Sequence, residues 1–167
     1  MSVGAIFTIY APLKPSIYSL GGIALAVGML VVARFYHRIL NATWFYRISL
    51  LVEVVLLVAM GYFLLYPYTY TTALVVYLGY QLTFVFGSYL VRAETLLMED
   101  DEVLTRLDTA KQTGYLVGMG ISYLFYKILE ALSIVANQTK VYHLHYLLIT
   151  IEVIIIVLLL RSFKRDK

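Results

Sequence analysis

The stretch VYHLHYLLITIEVIIIVLLL, residues 141–160, decides the fold class. It is as long as the roughly 20 apolar residues that a helix needs to cross the hydrocarbon layer of a bilayer. Its β-branched run from Ile154 to Val157 would suggest a strand in water. In lipid the backbone N–H and C=O groups find no water to bond, so a spanning segment must satisfy them internally as a helix. The stretch therefore reads as a transmembrane helix with one carboxyl, Glu152, near its middle.

The rest of the chain agrees with that reading. Hydrophobic residues make up 62% of the 167 residues and charged residues 14%, against roughly 45–50% and about 25% in soluble domains. One soluble core of this size cannot hide so much apolar surface, whereas lipid solvates it directly. Four further segments have spanning length, at residues 17–33, 45–66, 70–91 and 114–136. The first is short unless Phe35 and Tyr36 extend it. The expected fold class is an all-α integral membrane protein of about five transmembrane helices, with a short amphipathic cytoplasmic helix between the third and fourth spans. The expected organisation is a short extracytoplasmic segment at residues 1–16, one transmembrane domain at 17–161 with a cytoplasmic linker at 92–112, and a basic cytoplasmic tail at 162–167.

Orientation follows from the placement of the bases. Arg34, Arg38, Arg47, Arg92, Arg106, Lys111, Arg161, Lys164, Arg165 and Lys167 fall on one side of the expected spans. Only Lys14 and Lys140 fall on the other, and Lys127 lies within a span. The rule that lysine and arginine stay inside then puts the C-terminus in the cytoplasm and the N-terminus outside. A bacterial inner (plasma) membrane is the expected location. Tyr36, Tyr46, Tyr66, Tyr70, Tyr115 and Tyr142 lie at or near span ends, where amphipathic rings favour the headgroup level. Met1 to Gly4 carries no basic n-region and Pro12 interrupts the apolar run after it, so no cleaved signal peptide is expected.

The linker is too polar to cross. Leu96, Leu97, Val103, Leu104 and Leu107 keep a helical spacing, and the acids Glu99, Asp100, Asp101 and Glu102 precede bases at Arg106 and Lys111. That charge order suits a helix opening at the acidic cluster, acids at its positive end and bases at its negative end.

Ionisable groups inside a span cost about 2.5–3.5 kcal/mol each on insertion scales, so they are the candidates for function. Glu53 lies in the cytoplasmic half of the second span, Gln81 near the middle of the third, and Glu152 near the middle of the fifth. Lys127 and Glu130 are three residues apart in the fourth, hence on one helical face. Glu152, Gln81 and Lys127 have comparable depth, so one polar cavity can collect them; alternatively Lys127 and Glu130 neutralise each other and each remaining acid bonds a neighbouring helix. His143 and His145, two residues apart, point to opposite faces and are read as interfacial rather than as a shared metal site. Gly114 and Gly118 have the spacing that lets helices pack closely. There is no cysteine, and no P-loop, nucleotide fingerprint, zinc motif or serine-centred triad occurs. No enzyme activity, cofactor, metal or nucleic-acid partner is expected; the expected partners are the lipid bilayer and either further copies of the chain or other membrane subunits.

The order of these features resembles one half of a major facilitator superfamily transporter. That family carries a pattern close to G-x-L-A-D-R-x-G-R-R between the second and third helices of a six-helix half. Here residues 29–38, Met-Leu-Val-Val-Ala-Arg-Phe-Tyr-His-Arg, occupy that place. Arg34 and Arg38 match basic positions, while Ala33 replaces the aspartate and Tyr36 the glycine. Residues 87–98, Gly-Ser-Tyr-Leu-Val-Arg-Ala-Glu-Thr-Leu-Leu-Met, are similar to the cytoplasmic end of the family's fourth helix. Thr105-Arg106 through Gly114, Gly118 and Gly120 is similar to the linker entering its glycine-rich fifth helix. The resemblance implies helices two to six, or eight to twelve, of such a transporter, with residues 5–13 as a remnant of the preceding helix. It implies small-solute transport, often proton-coupled, and Arg34, Arg38, Arg92, Glu94 and Arg106 as gating-loop candidates. The alternative expectation is a non-catalytic subunit or assembly factor of a larger membrane complex.

Overall fold

The computed structural model of the chain describes residues 13–98 and 100–163. Residues 5–12 of the expected remnant at 5–13, Glu99 of the acidic cluster and the tail from Lys164 onward lie outside these residues. Within them the order is α1 Pro15–Arg34, α2 Tyr36–Ile39, α3 Ala42–Leu65, α4 Tyr70–Leu97, α5 Asp101–Ala131 and α6 Asn137–Ser162. No strand occurs among the described residues. The all-α expectation holds, and α1, α3, α4 and α6 are each long and apolar enough to cross a membrane. Of the segment expected as a further span, 114–136, residues 114–131 belong to α5, which is not among those four. Lys127, Glu130 and the glycines and tyrosines of α5 dilute its apolar content.

Local chemistry sets the boundaries. Pro15 stands at the first position of α1, where its missing N–H costs nothing and its φ is already helical. Asn41 caps α3, its side chain accepting from the Trp44 N–H at 3.1 Å and donating to the Arg38 carbonyl at 2.9 Å. Thr69 caps α4 by accepting from the Thr72 N–H at 3.1 Å, and the Thr72 hydroxyl donates to the Tyr66 carbonyl. Tyr68 in this turn takes a positive φ of 65°. Asp100 caps α5 by accepting from the Glu102 N–H at 2.9 Å, and Asp101 and Glu102 fill the first turn, where negative charge complements the helix dipole.

The linker differs from expectation. Residues 101–111 are not a separate surface helix but the first third of α5, continuous with the segment that follows. No proline separates Lys111 from Gly114, and one glycine costs a helix interior only about 1 kcal/mol. Neither is enough to stop a helix already capped and charged at its start. Likewise α4 runs on through Arg92, Ala93 and Glu94 to Leu97.

Packing places the helices in a row, α1 on α4, α4 on α3, α3 on α6, and α5 lightly on α6. Helix α1 runs parallel to α4: Gly21 faces Tyr77 and Gly28 faces Val85. Helix α3 runs antiparallel to α4, with Gly79 against Ala59 and Val55. It is also antiparallel to α6, since Phe63 stacks on His145 with ring centroids 4.1 Å apart while Tyr46 reaches Phe163 at 4.7 Å. Two buried clusters lie toward opposite ends of the α3–α4 pair. Leu13, Phe63, Ala73, Val76 and Tyr77 form one, and Ile48, Tyr89 and Ala93 the other. Tyr89 is fully buried, its hydroxyl donating to the Ile39 carbonyl at 2.7 Å.

One topological result follows from these directions. Helices α4 and α6 both run from the Phe63 end to the Tyr89 end, so α5 between them must run back. Ion pairs fasten it at both ends, Lys111 to Glu94 of α4 and Glu130 to Lys140 of α6, the latter at 2.9 Å. The 20 or so residues between those anchors cover about 30 Å at 1.5 Å per residue. Along that length only Leu129 of α5 is buried.

Candidate functional site

The site is built on α6 and α3. Glu152 is 7% exposed, and its Oε1 has no hydrogen-bond donor among the described residues. The neighbour it faces is the Glu53 carboxyl of α3, within hydrogen-bonding and Coulombic reach. Two carboxylates cannot donate to each other, so a hydrogen bond between them requires a proton on one of the pair. Tyr80 of α4 lies near Glu152.

Gln81 has the second buried orphan, its Oε1. Gly79, two residues earlier, packs on Val55 and Ala59 of α3. In an antiparallel pair this puts Gln81 at the height of Val55, within a turn of Glu53. Glu53, Tyr80, Gln81 and Glu152 thus occupy one narrow layer across α3, α4 and α6. With the Oε1 atoms of Glu152 and Gln81 both unpartnered among the described residues, this layer is suited to take up a proton or a hydrogen-bond donor.

Lys127 and Glu130 belong elsewhere. They pair with each other at 2.9 Å near the end of α5, and Glu130 also holds Lys140, whose side chain is only 10% exposed. Glu130 is thereby the bridge of a three-residue network rather than part of the Glu152 layer. His145 is 3% exposed, its Nδ1 2.8 Å from the Val141 carbonyl, while the His143 Nδ1 lies 2.8 Å from the Thr139 carbonyl. Each ring thus bonds its own helix, and no group of acids and histidines suited to a metal occurs among the described residues.

The gating-loop candidates gather at the Tyr89 end without pairing to one another. Arg34 ends α1 and Arg38 lies in α2. Arg92 stands over the Tyr36 ring at 5.8 Å. Glu94 holds Lys111, and Arg106 holds Glu102 at 2.5 Å one turn away on the same helix.

Sequence reading passes over two members of these clusters. Tyr80 is one of many tyrosines, and nothing but its adjacency to Gln81 marks it. Lys140 reads as a loop base, yet it opens α6 as a buried cation. Comparison with known proteins matches no family model, no curated protein and no solved structure.

Proposed function

We propose that the chain is a membrane transport protein that moves a small solute with proton exchange at the Glu53–Glu152 pair, working beside a second copy or a partner half. The observation that carries this reading is the burial of Glu152 against another carboxyl, with one oxygen lacking a donor. Setting a buried carboxyl against a second, half-buried one is costly, and a purely packing role is filled better by leucine. Gln81 at the same height gives a solute a neutral polar contact beside the proton. On this reading α5 is a fifth crossing, because it returns between two helices of equal direction. The end bearing Arg34, Arg38, Arg47, Arg92 and Arg161 is then cytoplasmic, with the N-terminus outside. The resemblance to a half transporter supports the same assignment, since its gating-loop candidates all lie at that end.

The test is flux. Proteoliposomes carrying the chain, with an imposed pH gradient and an entrapped pH dye, are offered a panel of amino acids, sugars and organic cations. Solute-dependent proton movement that Glu152→Gln abolishes supports the reading. No flux from the wild-type protein, alone or with a co-purifying partner, overturns it.

A second reading, a non-transporting subunit of a larger complex, is favoured by α5. That helix is held by ion pairs near its ends, and a Cβ added at Gly114 or Gly118 would meet nothing within 4 Å. A small-residue face left open in this way suits another helix. Stable co-purification with a different membrane protein through α5, without flux, would select it.

A further inference from the structure

At the Tyr89 end of α4 lies an open pocket of about 670 Å³, separate from the Glu53–Glu152 layer and lined by Tyr36, Ser88, Arg92, Thr95 and the apolar Val91 and Leu96. Ser88, Arg92 and Thr95 are spaced by four and three residues and so form one stripe of α4. The Arg92 guanidinium lies over the Tyr36 ring, 5.8 Å from its centroid, a cation–π distance that leaves its N–H donors for a ligand. Among the described residues no carboxylate pairs with Arg92, nor with Arg34 or Arg38 nearby in sequence to Tyr36. The nearby acid Glu94 is committed to Lys111. The Thr95 hydroxyl is already used, donating to the Val91 carbonyl at 3.0 Å, so the polar donors that remain on the lining are Arg92, Ser88 and the Tyr36 hydroxyl.

An uncompensated guanidinium beside a hydroxyl is an oxyanion receptor, and planar bidentate recognition by arginine suits phosphate. Val91 and Leu96 flank the polar stripe with apolar surface, which a free inorganic anion does not need. We propose that this pocket binds the phosphate of an anionic phospholipid, with Arg92 and Ser88 on the headgroup and the glycerol and upper acyl chain along Val91 and Leu96. The proposal rests on the reading of α4 as a membrane-spanning helix whose last turns reach the cytoplasmic headgroups, where each base near an anionic surface contributes about 1 kcal/mol.

The protein purified in a mild detergent is mixed with equal amounts of phosphatidylglycerol and phosphatidylcholine, and retained lipid is read by native mass spectrometry. The expected result is preferential retention of one phosphatidylglycerol, reduced about fivefold in Arg92→Gln, and unchanged in Arg106→Gln, whose base is already paired outside the pocket. Ser88→Leu keeps every charge but fills the pocket, and is expected to lose the lipid as well; it serves if Arg92→Gln does not fold. Equal retention of the two lipids by the wild-type protein, or an unaltered preference in both pocket variants, overturns the proposal. Displacement of the lipid by millimolar inorganic phosphate, with no dependence on acyl chains, overturns the lipid and leaves an anion site. Recovery of the chain in the membrane fraction, measured alongside, separates failure of the pocket from failure of the spanning reading.

Discussion

The Tyr77 side chain of α4 stands so close over Gly21 of α1 that a Cβ built at Gly21 would lie 2.0 Å from the phenol oxygen. The ring is buried and packs edge-on against Tyr18 at 5.4 Å, so it has little room to retreat. Gly21→Ala is therefore expected to lower stability by about 1–3 kcal/mol, the usual range for an overpacked contact. Gly22→Ala, where an added Cβ meets nothing within 4 Å, is the matched control. Thermal melting of the two variants in detergent checks the pair, and equal melting temperatures would mean that α1 does not dock here.

Tyr89 carries a different kind of contact. Its hydroxyl bonds the Ile39 carbonyl, which also accepts from the Asn41 N–H at 2.9 Å. Tyr89→Phe leaves that carbonyl one donor, so the expected loss is only about 0.5–1.5 kcal/mol. Tyr89→Ala empties a fully buried site and is expected to cost about 3–5 kcal/mol. Melting curves that rank the two variants the other way would show that the hydroxyl, not the ring, organises this end.

The Glu53–Glu152 contact predicts an ordering. Glutamine at 152 supplies N–H donors to the Glu53 carboxylate in the same volume, so Glu152→Gln is expected to be at least as stable as the wild-type protein. Glu152→Ala leaves a void and a buried acid without its neighbour, a loss of about 1–3 kcal/mol. If glutamine destabilises as much as alanine, the two carboxyls are not in contact.

Helix direction can be read by chemical labelling. Because the chain has no cysteine, Thr105→Cys and Val135→Cys each introduce one exposed thiol, before and after the return run of α5. A membrane-impermeant maleimide added to intact cells is expected to label Val135→Cys and to reach Thr105→Cys only after permeabilisation. Labelling of both from one side would leave α5 folded back without crossing.

The helical class and several helix ends are legible from apolar run length, and α4 starts at Tyr70 where the third expected span does. The acids 100–102 open a helix where their charge order suggests, whereas the caps at Asn41 and Thr69 come from the structure. The extent of α5 was hidden because a polar stretch and an apolar one were read as different elements, although no residue between Lys111 and Gly114 interrupts the backbone. Site chemistry was legible only residue by residue. Depth along a helix groups Lys127 with Glu152, but depth carries no information about azimuth or about which helices touch. The row order separates them, and Lys127 turns to Glu130 while Glu152 turns to Glu53.

The row also says something about biogenesis. The principal partner of α1 is not its successor α3 but α4, so a helix made later must enter between two made earlier. About 60 residues separate the end of α1 from the end of α4, which at the usual 5–20 residues per second of synthesis is roughly 3–12 s. During that interval the first helix has left the ribosome with no protein neighbour to lean on. It is suited to the wait, since no residue of α1 is buried even in the finished protein. An early helix that is content among lipids can stand aside until the seat beside it is occupied, and the order of synthesis need not be the order of assembly.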